Sequence, residues 1–246
     1  ESLRNILAQF DFNYWKQSDT IYKIKPYEYP RRHVQEGEEM LKYLSGMYSN
    51  KQQFEMRRDS VRREVSKLLE IDKYEDSLVH HKAILGKIIK NDGYTVQNIC
   101  IETLPGEHLF GSIYSPTTKG KHPLIICPDG HFNGGRYRKD EQLRLGTLAR
   151  MGAICVDFDL YGWGESEMAY GKDSHQTDRA HVIQALNAEV LLDYMWNNRK
   201  DVDKKRIGVN GGSGGGTHTI LLTVLDNRIT AAAPTVNLAS HFDGGC

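Results

Sequence analysis

The chain has 246 residues, 39% apolar and 26% charged, the balance of an ordinary folded domain and not of a disordered polymer. Its 32 Lys and Arg offset 32 Asp and Glu, so no basic surplus points to a nucleic-acid partner. No run approaches the ~18 apolar residues of a membrane span. The first residue is Glu1, without a signal peptide, which fits a mature exported chain or a trimmed one. The four cysteines, at 100, 127, 155 and 246, match no zinc spacing, and the first three read as small apolar residues of strands.

Residues 1–90 are rich in Lys, Arg, Glu and Tyr and show little strand character. They are expected to form a helical N-terminal extension packed on a catalytic domain. The spacing predicts helices over 33–48 and 51–71, the second with Phe54, Val61, Val65, Leu68 and Leu69 on one face. Arg57, Arg58, Arg62 and Arg63 lie mostly off that face and read as a solvated stripe. Pro26 and Pro30 bracket a non-helical connection.

From Tyr94 the pattern changes. Residues 94–103 and 109–115 predict a hairpin around a turn holding Pro105 and Gly106. Residues 123–127 and 153–158 are short apolar strands, with a helix over 143–151 closed by Gly152 between them. A long helix follows over 180–196, then a strand at 207–210, a helix from Thr217 to Leu225, and a strand over 230–236 that Pro234 weakens. Strands alternating with helices predict an α/β domain over 91–246, a doubly wound and mostly parallel sheet with helices on both faces.

The segment Arg206–His218, RIGVNGGSGGGTH, organises this domain. A strand runs into Gly-rich sequence, Ser213 stands at the centre of G-x-S-x-G, and an apolar helix follows. A nucleophile elbow needs this strand–turn–helix context, which presents the hydroxyl on a strained turn at a helix N-terminus. A flexible linker would lack the flanking strand and helix. A phosphate loop would end in Lys-Ser/Thr, and a dinucleotide fingerprint fits only when mis-spaced. Ser213 is therefore the candidate nucleophile, and the Gly214 N–H is one candidate oxyanion donor.

The loop Pro128–Gly135 follows the third strand of the domain, where a second oxyanion donor is expected; its candidates are the His131 N–H and then that of Phe132. A structural role for the His131 side chain competes with this. The third loop, Asp157–Ser166, offers Tyr161, Trp163 and Glu165 as pocket-lining residues, against the alternative of a turn that anchors the sheet. Asp173, His175, Asp178 and His181 cluster before the long helix. They fit no metal template and read as capping or salt-bridging groups.

These three loops, LIICPDGHFNGG (124–135), ICVDFDLYGWGES (154–166) and RIGVNGGSGGGTH (206–218), resemble the α/β-hydrolase superfamily. With FEMRRDSVRREVSKLL (54–69), they are similar to bacterial acetyl xylan esterase-like hydrolases that carry a helical N-terminal extension. The resemblance spans most of residues 51–246. It implies an acyl-enzyme mechanism without metal or organic cofactor, acting on an ester of a plant polysaccharide or oligosaccharide. It also points to a bacterial protein that is secreted or periplasmic, with a cytoplasmic one as the alternative; the balanced charge and the apolar run lengths predict no nucleic-acid or membrane partner. A peptidase or thioesterase on the same fold is the enzymatic alternative.

The superfamily order is Ser, then Asp or Glu, then His. After Ser213 the chain holds only His218, Asp226, His241 and Asp243 as candidates, and their positions do not suit that pair. The expectation is a catalytic domain incomplete at its C-terminus, with the triad acid and histidine outside the chain and an apolar sheet edge left open. A further C-terminal segment or a second chain would complete it. An inactive, hydrolase-like binding module is the non-enzymatic alternative.

Overall fold

The computed structural model describes residues 3–8, 10, 12–16, 18–26, 34–74 and 83–236. The chain divides into two compact units, one formed by residues up to Phe54 and one from Glu55 onward.

The first unit holds α1 (Leu3–Ala8), β1 (Phe12–Lys16), β2 (Tyr22–Pro26), α2 (Val34–Ser45) and the start of α3 (Lys51–Leu68). The two strands pair antiparallel, with Tyr14 opposite Ile24. This corrects the expectation of little strand character. Alternating Phe12, Tyr14, Tyr22 and Ile24 carry high strand propensity, and the Ser-Asp-Thr sequence at 18–20 supplies the turn. Helix α3 starts where Asn50 and Gln53 form a capping box: Gln53 N–H donates to Asn50 Oδ1 at 3.0 Å, and Gln53 Oε1 accepts from Ser49 N–H at 2.8 Å.

Within the second unit, the expected apolar face of α3 is not buried, and Leu68 is 80% exposed. Arg62, expected in a solvated stripe, instead donates from Nε to the Val224 carbonyl at 2.6 Å. That carbonyl lies in the last turn of α7 (Gly214–Leu225), where a cation is favoured by the helix dipole.

The sheet of this unit contains β3 (Ala83–Leu85), β4 (Ile89–Lys90), β5 (Tyr94–Leu104), β6 (Glu107–Pro116), β7 (His122–Pro128), β8 (Ile154–Phe158), β9 (Val202–Gly212) and β10 (Ala231–Thr235). Its order is β10-β9-β7-β8-β6-β5-β3, with β4 also on β5. The pairs β10–β9, β9–β7 and β7–β8 are parallel, and the strands from β6 to β3 are antiparallel. The hairpin β5–β6 turns through Gly106 at φ +80°, as the Pro-Gly pair requires. Pro234 sits in β10, at the edge of the sheet among the described residues, where a missing donor is tolerated.

Side chains of β7 and β8 alternate between two cores. Leu124, Ile126, Ile154, Val156 and Phe158 pack with Val190, Leu191 and Met195 of α6 (Ala180–Asn198) and Leu222 of α7. Cys127 and Cys155 point to the other face, against Leu145 and Ala149 of α4 (Lys139–Arg150). All three described cysteines are free thiols. Helices therefore cover both faces, and the carboxyl ends of the parallel strands β7, β8 and β9 lie side by side. Their loops form the site.

Candidate active site

Ser213 stands between β9 and α7 at φ +58° and ψ −121°. A non-glycine residue rarely adopts this conformation, and it costs about 1–3 kcal/mol unless surrounding structure enforces it. Here Ser213 N–H donates to the Thr235 carbonyl of β10 at 3.0 Å, and Ser213 O accepts from Gly216 N–H at 2.8 Å. The turn is thus fixed from both sides. Gly214 opens the helix, and its N–H has no acceptor among the described residues, as expected for the first residue of a helix.

The surrounding glycines allow backbone to meet backbone. A Cβ on Gly211 would come within 2.5 Å of the Gly215 and Pro128 carbonyl oxygens. One on Gly130 would come within 2.5 Å of the Gly212 carbonyl, and one on Gly214 would meet the His131 ring at 2.7 Å. The loop after β7 therefore lies directly on the elbow. Phe132 N–H donates to the Gly130 carbonyl at 2.9 Å, so this second-choice oxyanion donor is taken up inside its own loop. The Phe132 side chain is 41% exposed, with the Arg138 guanidinium 4.1 Å from its ring centroid.

An ionic knot supports both loops from beneath. Asp159 is buried; it accepts from the Glu165 N–H at 3.0 Å and is ion-paired with the buried Arg136 guanidinium. Arg136 also reaches Glu165 Oε2 at 2.5 Å and Ser112 Oγ at 3.0 Å. Gly164, at φ +60°, leaves space for the Asp159 carboxylate, which a Cβ there would approach within 2.5 Å. Burial raises the Asp159 carboxyl above its ordinary value, against the lowering effect of Arg136. Burial likewise lifts Asp129 to about 6, although Arg138 lies 3.2 Å away.

Two of the expected pocket residues also make contacts within the scaffold. Glu165 is committed to Arg136 and to the Tyr137 hydroxyl at 2.8 Å. Burial opposes its charge, but these partners hold its carboxyl below the ordinary value. Tyr161 packs its ring on Tyr170 at 5.0 Å beside Ala180 and Ile183, and its hydroxyl donates to Glu107 at 3.3 Å. A cation thus holds the Glu165 carboxylate, and an aromatic neighbour holds the Tyr161 ring. Trp163 stays beside the elbow loop. Its indole N–H donates to the Phe132 carbonyl at 3.1 Å, and its ring meets His131 edge-on at 5.3 Å.

The histidines make contacts that the capping or salt-bridging reading of the sequence did not anticipate. His175 does not cap α6, whose N-cap is Arg179 with no side-chain cap bond. It sits in a 3-10 turn over Lys172–Gln176, with Nδ1 2.6 Å from the Tyr161 carbonyl and Nε2 2.6 Å from His131 Nε2. His218 on α7 is buried, and neither ring nitrogen has a hydrogen-bond partner among the described residues. Burial, and then His181, His131 and His175, push its pKa down to about 3, so it is neutral at physiological pH. Burial lowers His131 and His181 as well. Asp226 is ion-paired to Arg228 at 2.5 Å, while His241 and Asp243 lie outside the described residues. Among the described residues, no three His, Cys, Asp or Glu side chains are grouped to hold a metal ion.

Comparison with known proteins agrees with this geometry. The family described as acetyl xylan esterase (AXE1) matches residues 87–244. Acetyl esterase Axe7A of Xylanibacter ruminicola is 24% identical over 170 residues, covering 62% of this chain and 38% of that protein. A solved structure named Methylesterase BT1017 superposes with a TM-score of 0.85 at 60% identity, covering 99% of this chain and 55% of that one. Acetyl xylan esterase 1 from a Thermoanaerobacterium species superposes with a TM-score of 0.52 at 19% identity, covering 65% of this chain and 54% of that one. The chain thus spans about half the length of these solved relatives and less of the curated one. The fold is that of an α/β-hydrolase, with the glycine-rich loops at the carboxyl ends of β7, β8 and β9, and the chain belongs to the acetyl xylan esterase (AXE1) family.

Proposed function

We propose that this chain carries the nucleophile half of a serine carboxylesterase that deacetylates a carbohydrate. Ser213 Oγ attacks the acetyl carbonyl and forms an acyl-enzyme, and the sugar hydroxyl leaves. Water then attacks the acyl-enzyme and releases acetate. The backbone N–H groups of Gly214 and His131 hold the oxyanion, each stabilising it by about 3 kcal/mol. A histidine oriented by a carboxylate takes the serine proton; we assign neither among the described residues. Trp163 and Phe132 border the sugar. Neither metal nor organic cofactor has a part in these steps. An ester carried on a plant polysaccharide places the enzyme outside the bacterial cytoplasm.

The observation that carries this reading is the strained Ser213 on a strand–turn–helix, with a second glycine loop packed against it. A fluorophosphonate probe on the full-length protein tests it. Labelling at Ser213, lost in Ser213→Ala, is expected, together with acetate release from acetylated xylan. An intact fold that takes no label would remove the nucleophile assignment. Peptide and thioester substrates separate the esterase from a peptidase or thioesterase.

A second reading is favoured by the 60% identity to a protein named a methylesterase. There the sugar would be the acyl part, a methyl-esterified sugar acid, and methanol would leave first. Comparing methanol release from such esters with acetate release from acetylated xylan decides between them.

A further inference from the structure

His131 and His175 join the loop after β7 to the turn that packs on the loop after β8, and for neutral rings the bond from His175 to Tyr161 sets the direction of the bond between them. The Tyr161 carbonyl can only accept, so His175 Nδ1 carries a hydrogen and donates to it at 2.6 Å. His175 Nε2 is then an acceptor. His131 Nε2 lies 2.6 Å from it and must be the donor. The rings meet at 69° with centroids 4.6 Å apart, a geometry that directs the N–H of one into the lone pair of the other.

His175 is itself held in place. A Cβ on Gly162 would come within 2.7 Å of the His175 backbone nitrogen, so the 3-10 turn lies directly on the loop after β8. Gly162 N–H donates to Ser166 Oγ at 2.9 Å and anchors that loop in turn. At the other end of the pair, the His131 ring rests on Gly214, where even a methyl group would collide with it. A continuous path therefore runs from the Tyr161 carbonyl through two imidazoles to the residue after Ser213.

We propose that His175 is a positioning residue of the esterase. By accepting the Nε2 proton of His131, it fixes that ring's tautomer and orientation and holds the Gly130–Phe132 backbone against the elbow. The oxyanion donor of that loop is then in place before substrate arrives. His175 does not touch the reacting atoms. This role rests on the proposed function, in which Ser213 is the nucleophile.

Three variants of the full-length protein test it. His175→Phe keeps ring volume and removes the acceptor, His175→Ala removes both, and His175→Gln restores a carbonyl acceptor. Loss of alignment at an oxyanion donor costs about 10²-fold in rate. The expected result is a kcat for p-nitrophenyl acetate lower by roughly 10- to 100-fold in the Phe and Ala variants, with KM changed by less than about threefold, and recovery of most of kcat in the Gln variant. Nitrogen-15 spectra of the histidines should show His131 as the Nε2–H tautomer in the parent protein and as a mixture in the Phe variant. An unchanged kcat in the Phe variant would overturn the positioning role while leaving the esterase reading intact. So would a kcat deficit in both the Phe and Ala variants that Gln does not restore. A parent protein that is folded yet neither labels at Ser213 nor hydrolyses esters would overturn both.

Discussion

Gly215 on α7 faces the Pro128 carbonyl at the end of β7 with no room for a side-chain carbon between them. The first turn of the elbow helix and the root of the neighbouring loop are therefore one packed unit. Gly215→Ala should push them apart. The expected outcome is destabilisation of about 2–3 kcal/mol, in the range of a strongly overpacked core. Urea unfolding should show a lower midpoint at unchanged slope, and esterase activity should fall by more than the folded fraction does.

In the proposed esterase, Ser213 sets function against stability at one residue. Its φ of +58° is natural for glycine and strained for serine. Ser213→Gly should melt above Ser213→Ala, by about 1 kcal/mol, because both lose the hydroxyl and only glycine loses the strain. Both variants should be inactive. Equal melting temperatures would show that the surrounding packing, and not the serine backbone, sets the energy of the turn.

The Arg136–Asp159 pair is almost wholly buried. Removing the cation alone leaves a buried carboxylate, which typically costs about 3–5 kcal/mol. Arg136→Met should show this loss in thermal or urea unfolding, and the double variant Arg136→Met with Asp159→Asn should regain a large part of it. Because Arg136 also holds Glu165 and Ser112, recovery should stop short of the parent value.

His218 gives stability an acid limb. Its folded pKa is depressed to about 3, from an ordinary value of 6.5. The unfolded chain therefore binds this proton first as pH falls. The stability associated with a neutral His218 is full above pH 6.5 and declines from there toward pH 3. His218→Leu removes both the titration and two unpartnered ring nitrogens. It should raise the melting temperature at pH 5 by more than at pH 8, by an amount equivalent to about 1–3 kcal/mol. A parallel shift at both pH values would assign the gain to packing alone.

The sheet and the elbow were legible in the sequence because each rests on a local rule. Alternation marked β5 and β6, short apolar runs marked β7 and β8, Gly152 closed α4, and the glycines about Ser213 pointed to a tight turn. The β1–β2 hairpin was overlooked because charged residues interrupt its alternation and the helical character of the following segment dominated the reading. Tyr161 and Glu165 were placed in the pocket because loop position says where a residue starts and not which partner claims it. Glu165 is claimed by Arg136 and Tyr137, 29 and 28 residues away in sequence, and no local spacing reports that distance. His175 was read as a capping or salt-bridging group for the same reason, since its partner His131 lies 44 residues upstream.

The contacts among the loops after β7, β8 and β9 involve glycine backbone to an unusual extent. Gly130 meets Gly212, Gly215 meets Pro128, and Gly164 meets the Asp159 carboxylate. If the proposed esterase is to be redirected to another ester, this divides the surface sharply. The glycine positions form a frame in which almost every substitution collides with a neighbour, so libraries directed there would mostly return misfolded protein. Phe132 is 41% exposed, its ring lies beside Gly130 and the Arg138 guanidinium, and a smaller side chain there would relieve that contact without adding a collision. Changes in substrate choice are therefore best sought at Phe132 and in the turn over Lys172–Gln176 outside His175.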